Sequence, residues 1–121
     1  MSKYTKGELE ETLKVISSTI NKCEKIHPKF IEGTSQHTLL KNRIKALYIS
    51  EALIINENIM CKYTKEELIE AQHPINSIIS KCEKAQLKLV EGTSHYTRLK
   101  NIIKAMYISK SLIADEINKR S

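Results

Sequence analysis

Chain breakers and aromatic residues are scarce in this sequence. Among 121 residues there are three glycines, two prolines, one phenylalanine and no tryptophan. So few chain breakers favour long helices, and a core with so few aromatics must be mostly isoleucine and leucine. No apolar run approaches the roughly 18 residues that a membrane span needs, and no apolar stretch follows the charged N-terminus as in a signal peptide. We therefore expect a cytoplasmic protein with no membrane partner.

Cysteine and histidine are also few, and their positions do not suggest a reactive site. Three cysteines without close pairing do not form a disulfide framework. Cys23 and Cys82 fall on an apolar stripe, as small core residues do, whereas Cys61 falls in a linker where we expect more exposure. The four histidines show no metal-ligand spacing, and no Cys–His or Ser–His–Asp arrangement can be argued. The sequence therefore predicts no metal, no cofactor and no catalysis.

The chain has an excess of basic residues, with 20 Lys and Arg against 14 Asp and Glu, a formal net charge of +6. One interpretation is an anionic partner. The other is that the abundance of Lys, Ile and Asn reflects an AT-rich genome and involves no selection for binding. Only 3 of the 20 basic residues are arginine, the side chain best suited to fork phosphates and base edges. This composition argues against nucleic acid as the partner.

The strongest signal is an internal repeat with a period of 59 residues. Between positions 3–57 and their partners, 32 of 55 residues are identical without a gap. We interpret this as a tandem duplication, with one unit at 3–58, the second at 62–117 and a short linker at 58–62. The whole chain, 1–121, is then expected to form a single domain with internal pseudo-symmetry.

Each unit carries the signals of two helices joined by a tight corner. A capping box opens each copy, with Thr5 and Glu8 in the first and Thr64 and Glu67 in the second. Apolar residues then recur every three or four positions along one helix face. A Gly-Thr-Ser corner, 33–35 and 92–94, ends that helix and caps the next. The predicted fold is all-α, a pseudo-symmetric four-helix bundle built from two helical hairpins.

The second helix of the first unit is apolar on two sides. One stripe consists of Leu40, Ile44, Leu47, Ile54 and Ile55, and Ala46, Ile49 and Leu53 form a second stripe on nearly the opposite side. A helix of this kind is covered on both sides, either by a central place in the bundle or in a homo-oligomer. Two prolines break the symmetry: Pro28 predicts a bend at the end of the first helix, and Pro74 predicts a kink in the third.

The candidate binding site combines the corner with a polar ridge on the following helix. Thr38, Lys41, Lys45 and Tyr48 are spaced by three, four and three residues, which places them on one ridge. Lysines beside an aromatic ring can hold a phosphate and stack a base, and the helix start favours an anion. The predicted ligand-binding residues are Thr34, Ser35, Thr38, Lys41, Lys45, Tyr48, Thr93, Ser94, Thr97, Lys100, Lys104 and Tyr107.

Identity between the copies is higher around this site than elsewhere. From 32 to 50, 14 of 19 positions match, whereas from 3 to 31 only 15 of 29 match. One interpretation is that both copies hold the same ligand contact, since surface polar residues usually drift first. The alternative is that the duplication is recent, with Thr and Ser acting only as caps and Lys only as a solvated face.

The run from Lys3-Tyr4-Thr5-Lys6 through Glu32-Gly33-Thr34-Ser35 to Leu47-Tyr48-Ile49-Ser50 resembles short helical-hairpin proteins of low-GC Gram-positive bacteria and their phages, which look like single copies of this unit. That resemblance carries no activity. In size, charge and topology the hairpin is also similar to phage sponges that sequester cyclic-nucleotide immune signals. The resemblance implies a non-catalytic, sponge-like binder of an anionic nucleotide-type signal, in the cytoplasm of a bacterium or an infected host cell. The alternative is a protein-interaction or inhibitor module that uses an exposed apolar stripe.

Overall fold

The computed structural model describes residues 3–55 and 62–120, which form four α-helices and one short 3₁₀ turn. The helices are α1 (Lys6–Ile26), α2 (Ser35–Ile55), α3 (Lys65–Gln86) and α4 (Ser94–Lys119), and the 3₁₀ turn (His27–Lys29) follows α1. No β-strand occurs within these ranges. Apart from Lys62, the predicted linker, including Cys61, lies outside the described residues.

Both predicted capping boxes are formed. The Thr5 hydroxyl accepts a hydrogen bond from the Glu8 backbone N–H at 3.1 Å, and the Glu8 carboxylate accepts one from the Thr5 N–H at 3.0 Å. In the second copy, the corresponding distances between Thr64 and Glu67 are 3.1 and 2.9 Å. Each box satisfies backbone donors that have no partner within the helix. The starts of α1 and α3 are therefore determined by the local sequence.

Gly33 and Gly92 have φ 90° and 92°, as expected of the corners. This left-handed conformation strains residues that carry a Cβ. The prediction that these glycines end the preceding helices was wrong, because α1 ends at Ile26 and α3 at Gln86, several residues earlier. The prediction for Pro28 was wrong in detail, because α1 ends at Ile26 and Pro28 lies in the 3₁₀ turn. Proline has no N–H for a further α-helical hydrogen bond, so the chain tightens into a 3₁₀ turn instead of bending the helix. Pro74 lies inside α3 and is buried; its kink stays a prediction.

The helices form a ring in the order α1, α2, α3, α4, with α4 next to α1. Side-chain contacts show that neighbours run antiparallel. Tyr48 of α2 contacts Glu24 of α1, whereas Glu51, further along α2, accepts from Ser17, earlier in α1. Lys45 of α2 contacts Glu67 at the start of α3. The C-terminal end of α4 returns to the start of α3, where an Arg120 guanidinium N–H donates to the Tyr63 carbonyl. This arrangement confirms the predicted four-helix bundle.

One aliphatic core lies between the four helices, and its largest fully buried apolar side chains are Ile16, Leu47, Ile49, Leu68, Ile75, Met106 and Ile113. The second apolar stripe of α2 is part of it, because Ala46 and Ile49 have no exposed surface and Leu53 packs against the core. Two explanations were predicted for this stripe, and the structure supports the first: α2 contacts all three other helices, and these contacts cover the stripe. No oligomer is needed to cover it.

Candidate functional site

The two corner threonines of the predicted site act as helix caps. The Thr34 hydroxyl donates to the Ile31 carbonyl at 2.7 Å and accepts from the His37 N–H at 3.3 Å. The Thr93 hydroxyl does the same with the Val90 carbonyl at 2.8 Å and the Tyr96 N–H at 3.3 Å. Since each hydroxyl proton is already donated within the corner, neither is directed at a ligand. For these two residues, the contacts fit the alternative that threonine acts only as a helix cap.

The predicted ridge does not form one site, because its members contact different helices. The Tyr48 hydroxyl donates to Glu24 on α1 at 2.9 Å, whereas the Lys45 ammonium lies 2.6 Å from Glu67 on α3. These bonds raise the pKa of both Tyr48 and Lys45 and lower the pKa of Glu67. In the second copy, Tyr107 donates to Glu83 at 3.3 Å. The tyrosines therefore bind carboxylates of their own hairpins.

The remaining predicted residues are exposed on the surface, and they divide into two groups. Ser35, Thr38, Lys41 and Lys100 are exposed and line none of the grooves described below. Ser94, Thr97 and Lys104 line the surface where α4 meets α1. Ser94 and Thr97 lie in one depression of this surface, and Lys104 lies in the depression next to it.

Two pseudo-equivalent grooves run along the sides of the bundle where the two hairpins meet. The groove between α2 and α3 encloses about 410 Å³ and contains the Lys45–Glu67 ion pair together with Glu70 and His73. The groove between α1 and α4 consists of two adjoining depressions that share Val15 and Asn101. The smaller one, of about 270 Å³, holds Glu8, Glu11 and Lys104 and corresponds to the ion-pair region of the first groove.

The larger depression between α1 and α4, of about 490 Å³, has a distinct chemistry, and we call it the basic groove. Its lining contains three cationic and four hydroxyl side chains but no carboxylate, imidazole or thiol; the residues are Lys14, Val15, Ser18, Thr19, Lys22, Ser94, Thr97, Arg98, Asn101 and Ile102. It lies beside the first turns of α4, whose helix dipole adds a partial positive charge. Its local electrostatics therefore favour an anion.

The cations of the basic groove are only weakly compensated. The Lys14 ammonium lies 3.7 Å from Glu11, but both side chains are 76% exposed, and such surface pairs contribute little. Lys22 and Arg98 make no ion pair within residues 3–55 and 62–120. By contrast, the Lys45 ammonium in the other groove is bound closely by a carboxylate. An incoming anion meets less competition in the basic groove.

Sequence reasoning missed Lys14, Lys22 and Arg98. The ridge prediction used spacings within one helix, whereas the basic groove joins side chains from α1 and α4. A signal was present at the positions where the copies differ. Lys14 and Arg98 correspond to His73 and Leu39 in the other copy, so the divergent positions concentrate positive charge in one of the two grooves.

The interior near the corners holds several polar groups outside the basic groove. Burial raises the pKa of the Cys23 and Cys82 thiols, and the nearby Arg43 guanidinium partly opposes that shift. The Nε and Nη2 atoms of Arg43 are buried without a hydrogen-bond partner. The rings of His27 and His37 are stacked with centroids 4.1 Å apart. In the described part of the chain, no three His, Cys, Asp or Glu side chains cluster as metal ligands.

No family model, curated protein or solved structure matches this chain. The resemblance to hairpin proteins and cyclic-nucleotide sponges therefore stays an expectation from the sequence. Over the described ranges, no helix combines the length and apolar character that crossing a bilayer requires.

Proposed function

We propose that this protein binds an anionic small molecule of the nucleotide class and holds it without chemical change, as a sponge of phage or defence origin would. The observation that supports this proposal is the basic groove, in which Lys14, Lys22 and Arg98 surround a depression whose lining contains no carboxylate. The proposal keeps the ligand class expected from the sequence and moves the site from the ridge to the interface of α1 and α4.

The size and lining of the basic groove suit a ligand that combines phosphate with an uncharged part. Its volume of about 490 Å³ lies within the roughly 300–1,000 Å³ typical of small-molecule sites. Arginine can fork two phosphate oxygens, and lysine supplies a mobile point charge. Val15 and Ile102 provide apolar surface next to the hydroxyl groups. Charge and apolar surface are therefore combined as a nucleotide requires.

The lining also favours binding over catalysis. Serine and threonine hydroxyls become nucleophiles only beside a general base or another activating group. The basic groove contains no carboxylate, imidazole or thiol that could serve as that base. Lysine serves as a base where burial removes its charge, whereas Lys14 and Lys22 are exposed and are suited to neutralising negative charge. We therefore keep the expectation of a non-catalytic protein that needs no cofactor.

The test is titration with linear and cyclic nucleotides, followed by calorimetry and thermal shift. The variant carrying Lys22→Glu and Arg98→Glu should lose binding. Ligand at 100 times its Kd should stabilise the native protein by about 2.7 kcal/mol, and this stabilisation should disappear in the variant. Both substitutions are on the surface, so circular dichroism should show an unchanged helix content.

The matched control carries Lys41→Glu and Lys100→Glu, which changes the net charge equally but alters the predicted ridge outside both grooves. This control should retain binding. If it loses binding while the Lys22 and Arg98 variant keeps it, the site is the ridge, as the sequence suggested. If no nucleotide or other small anion shifts the native protein, the proposed function is wrong.

The protein-interaction alternative has to use a different surface from the one first predicted. The second stripe of α2 is covered within the bundle, since Ala46 and Ile49 are fully buried. A partner or a second copy of the chain therefore has no access to it. The three most exposed apolar side chains, Ile31, Leu87 and Val90, lie at the helix corners.

A further inference from the structure

The most exposed apolar side chains of the described residues lie in the two segments that connect the helices of each hairpin, 27–34 and 87–93. We call these segments the helix corners. Leu87 is 87% exposed, Ile31 is 77% exposed and Val90 is 73% exposed. Ile31 and Val90 are equivalent positions, 59 residues apart, each two residues before the corner glycine. Single exposed apolar residues are ordinary on a protein surface, but this concentration in two equivalent corners is a feature of the fold.

Both corners lie at the same end of the bundle. Four consecutive antiparallel helices place the α1–α2 and α3–α4 connections together. The basic groove agrees with this, because it joins Lys22, near the end of α1, to Ser94, at the start of α4. The three exposed apolar side chains therefore face solvent at one end, which we call the corner end.

The apolar character of the corners has survived sequence divergence. Between 26–31 and 85–90, only one of six aligned pairs is identical, Lys29 with Lys88. Nevertheless Ile31 is matched by Val90, and Phe30 is matched by Leu89. A recent duplication would explain identical residues, but it does not explain an exposed position that changed and stayed apolar. This pattern indicates a role for the apolar side chain at that position.

Lysines surround these apolar side chains. Lys25, Lys29, Lys84 and Lys88 are all exposed, and they occupy equivalent positions in the two corners. Glu24, Glu32, Glu83 and Glu91 lie close to these lysines, but over the whole regions 22–41 and 81–100 nine Lys and Arg exceed these four carboxylates, a formal charge of +5. A second copy of the same end would bring like charges together. The complementary partner is therefore anionic.

We propose that the corner end docks on an anionic lipid bilayer, with Ile31, Leu87 and Val90 entering the interfacial region and the four lysines contacting lipid phosphates. Apolar side chains at projecting corners suit a soft surface that they can enter, whereas a partner helix needs a groove. Basic residues near an anionic leaflet each add attraction. This contact is peripheral, and it revises the expectation of no membrane partner, which rested on the absence of a membrane span.

The experiment uses the full chain with one reporter. Because the protein has no tryptophan, Val90→Trp introduces a single tryptophan at the corner end, which can be excited selectively over the five tyrosines. Vesicles of phosphatidylcholine mixed with phosphatidylglycerol should shift its emission to shorter wavelength and should pellet the protein. Phosphatidylcholine vesicles alone should bind at least roughly tenfold more weakly, because the lysine contribution is lost, and high salt should weaken binding to the mixed vesicles.

Two matched variants test the location by co-sedimentation without the reporter. The triple variant Ile31→Ser, Leu87→Ser and Val90→Ser should lose roughly tenfold or more in binding to the mixed vesicles. The control triple variant Leu39→Ser, Ile55→Ser and Ile69→Ser changes side chains that are 44–51% exposed elsewhere on the bundle, and it should bind like the native chain.

Three results would overturn the proposal: no sedimentation with the mixed vesicles, equal binding to both kinds of vesicle, or equal loss in the two triple variants. Light scattering that shows a dimer broken by the corner substitutions would assign this end to self-association instead. Each outcome is independent of nucleotide titration, so the basic groove and the corner end can fail separately.

Discussion

The two grooves between the hairpins are related by the sequence repeat but differ in charge. In the groove between α2 and α3, Lys45 is bound to Glu67 at 2.6 Å, with Glu70 alongside. In the basic groove between α1 and α4, Lys22 and Arg98 have no carboxylate in the lining. The backbone framework is shared, since caps and corners recur 59 residues apart.

This difference shows how a repeat can keep its fold and change its surface. Several residues that hold the helices together are the same in both copies, including Ile16 with Ile75 and Ile20 with Ile79, and Leu47 is matched by the similarly apolar Met106. The residues that distinguish the grooves are substituted, with Lys14 replaced by His73 and Arg98 by Leu39. Each groove is formed by helices from both hairpins, so either hairpin alone would present only half of its lining.

The largest effect should come from the shared core. Ile16 and Ile75 are equivalent and have no exposed surface, and alanine at either position should destabilise the fold by about 2–5 kcal/mol because it leaves a cavity. Urea denaturation should show one transition for both variants, shifted by similar amounts. Separate transitions, or a loss confined to one hairpin, would contradict a single core.

The next prediction transfers the basic groove to the other side of the bundle. Leu39→Arg with His73→Lys installs two of its cations in the groove between α2 and α3. We expect a second equivalent of anionic ligand to bind. Its Kd should lie within about tenfold of the native value, which corresponds to a difference of roughly 1.4 kcal/mol in binding free energy. Calorimetry gives the stoichiometry directly.

The control for this transfer is Ile69→Arg with His95→Lys, which alters the charge by the same amount at exposed positions outside both grooves. It should leave the stoichiometry unchanged. A second equivalent of ligand in the control would show that net charge, and not groove geometry, recruits the anion.

The two capping boxes should contribute equally. Thr5→Ala and Thr64→Ala should each cost about 1 kcal/mol, because backbone donors at the helix start lose their partner. Thr→Ser at either position keeps the hydroxyl and should restore most of the stability. Thermal unfolding should detect a fall in Tm of a few degrees for each alanine variant. A large difference between them would show that one hairpin is held by its tertiary contacts more than the other.

The smallest effect concerns the acid dependence of stability. The pKa of Glu67 is lowered below its ordinary value of 4.5 mainly by the Lys45 hydrogen bond, whereas the pKa of Glu8 is lowered mainly by the Thr5 backbone. A carboxyl whose pKa is lower in the folded state stabilises the fold above its ordinary pKa and loses that contribution as pH falls through the folded value. Lys45→Met should therefore reduce the loss of stability below pH 4.5.

The matched variant Lys104→Met should leave that acid dependence nearly unchanged, because Lys104 is the weakest influence on Glu8. Urea titrations at a series of acidic pH values measure both. Since the pair is exposed, salt should shrink the difference between the variants. If both variants changed the acid dependence of stability equally, the Lys45–Glu67 ion pair would not distinguish the two grooves.

Local signals in the sequence predicted the helix starts and corners. Thr5 with Glu8, and Gly33 with Thr34, act within a few residues of each other, so their geometry needs no tertiary information. The apolar faces of α2 predicted that it is covered on two sides. These faces did not show whether α2 is covered by its own bundle or by a second copy of the chain, since either arrangement would bury Ala46 and Ile49.

The candidate site was less predictable, because it depends on which helices become neighbours. Lys45 and Tyr48 lie three residues apart, yet one contacts α3 and the other contacts α1. Conversely, Lys22 and Arg98 are 76 positions apart in the sequence and line the same groove. Spacing within a helix tells which side chains share a face, but not which face meets another helix.

The sequence by itself determined the repeat, the helix starts set by caps, the positions of the corner glycines and the aliphatic character of the core, because these depend on residues close together in the chain or on composition. The tertiary structure decided which carboxylates neutralise which lysines, and therefore where uncompensated positive charge is left. Electrostatic interactions depend on distances in space between helices, and only the packing of the two hairpins fixes those distances.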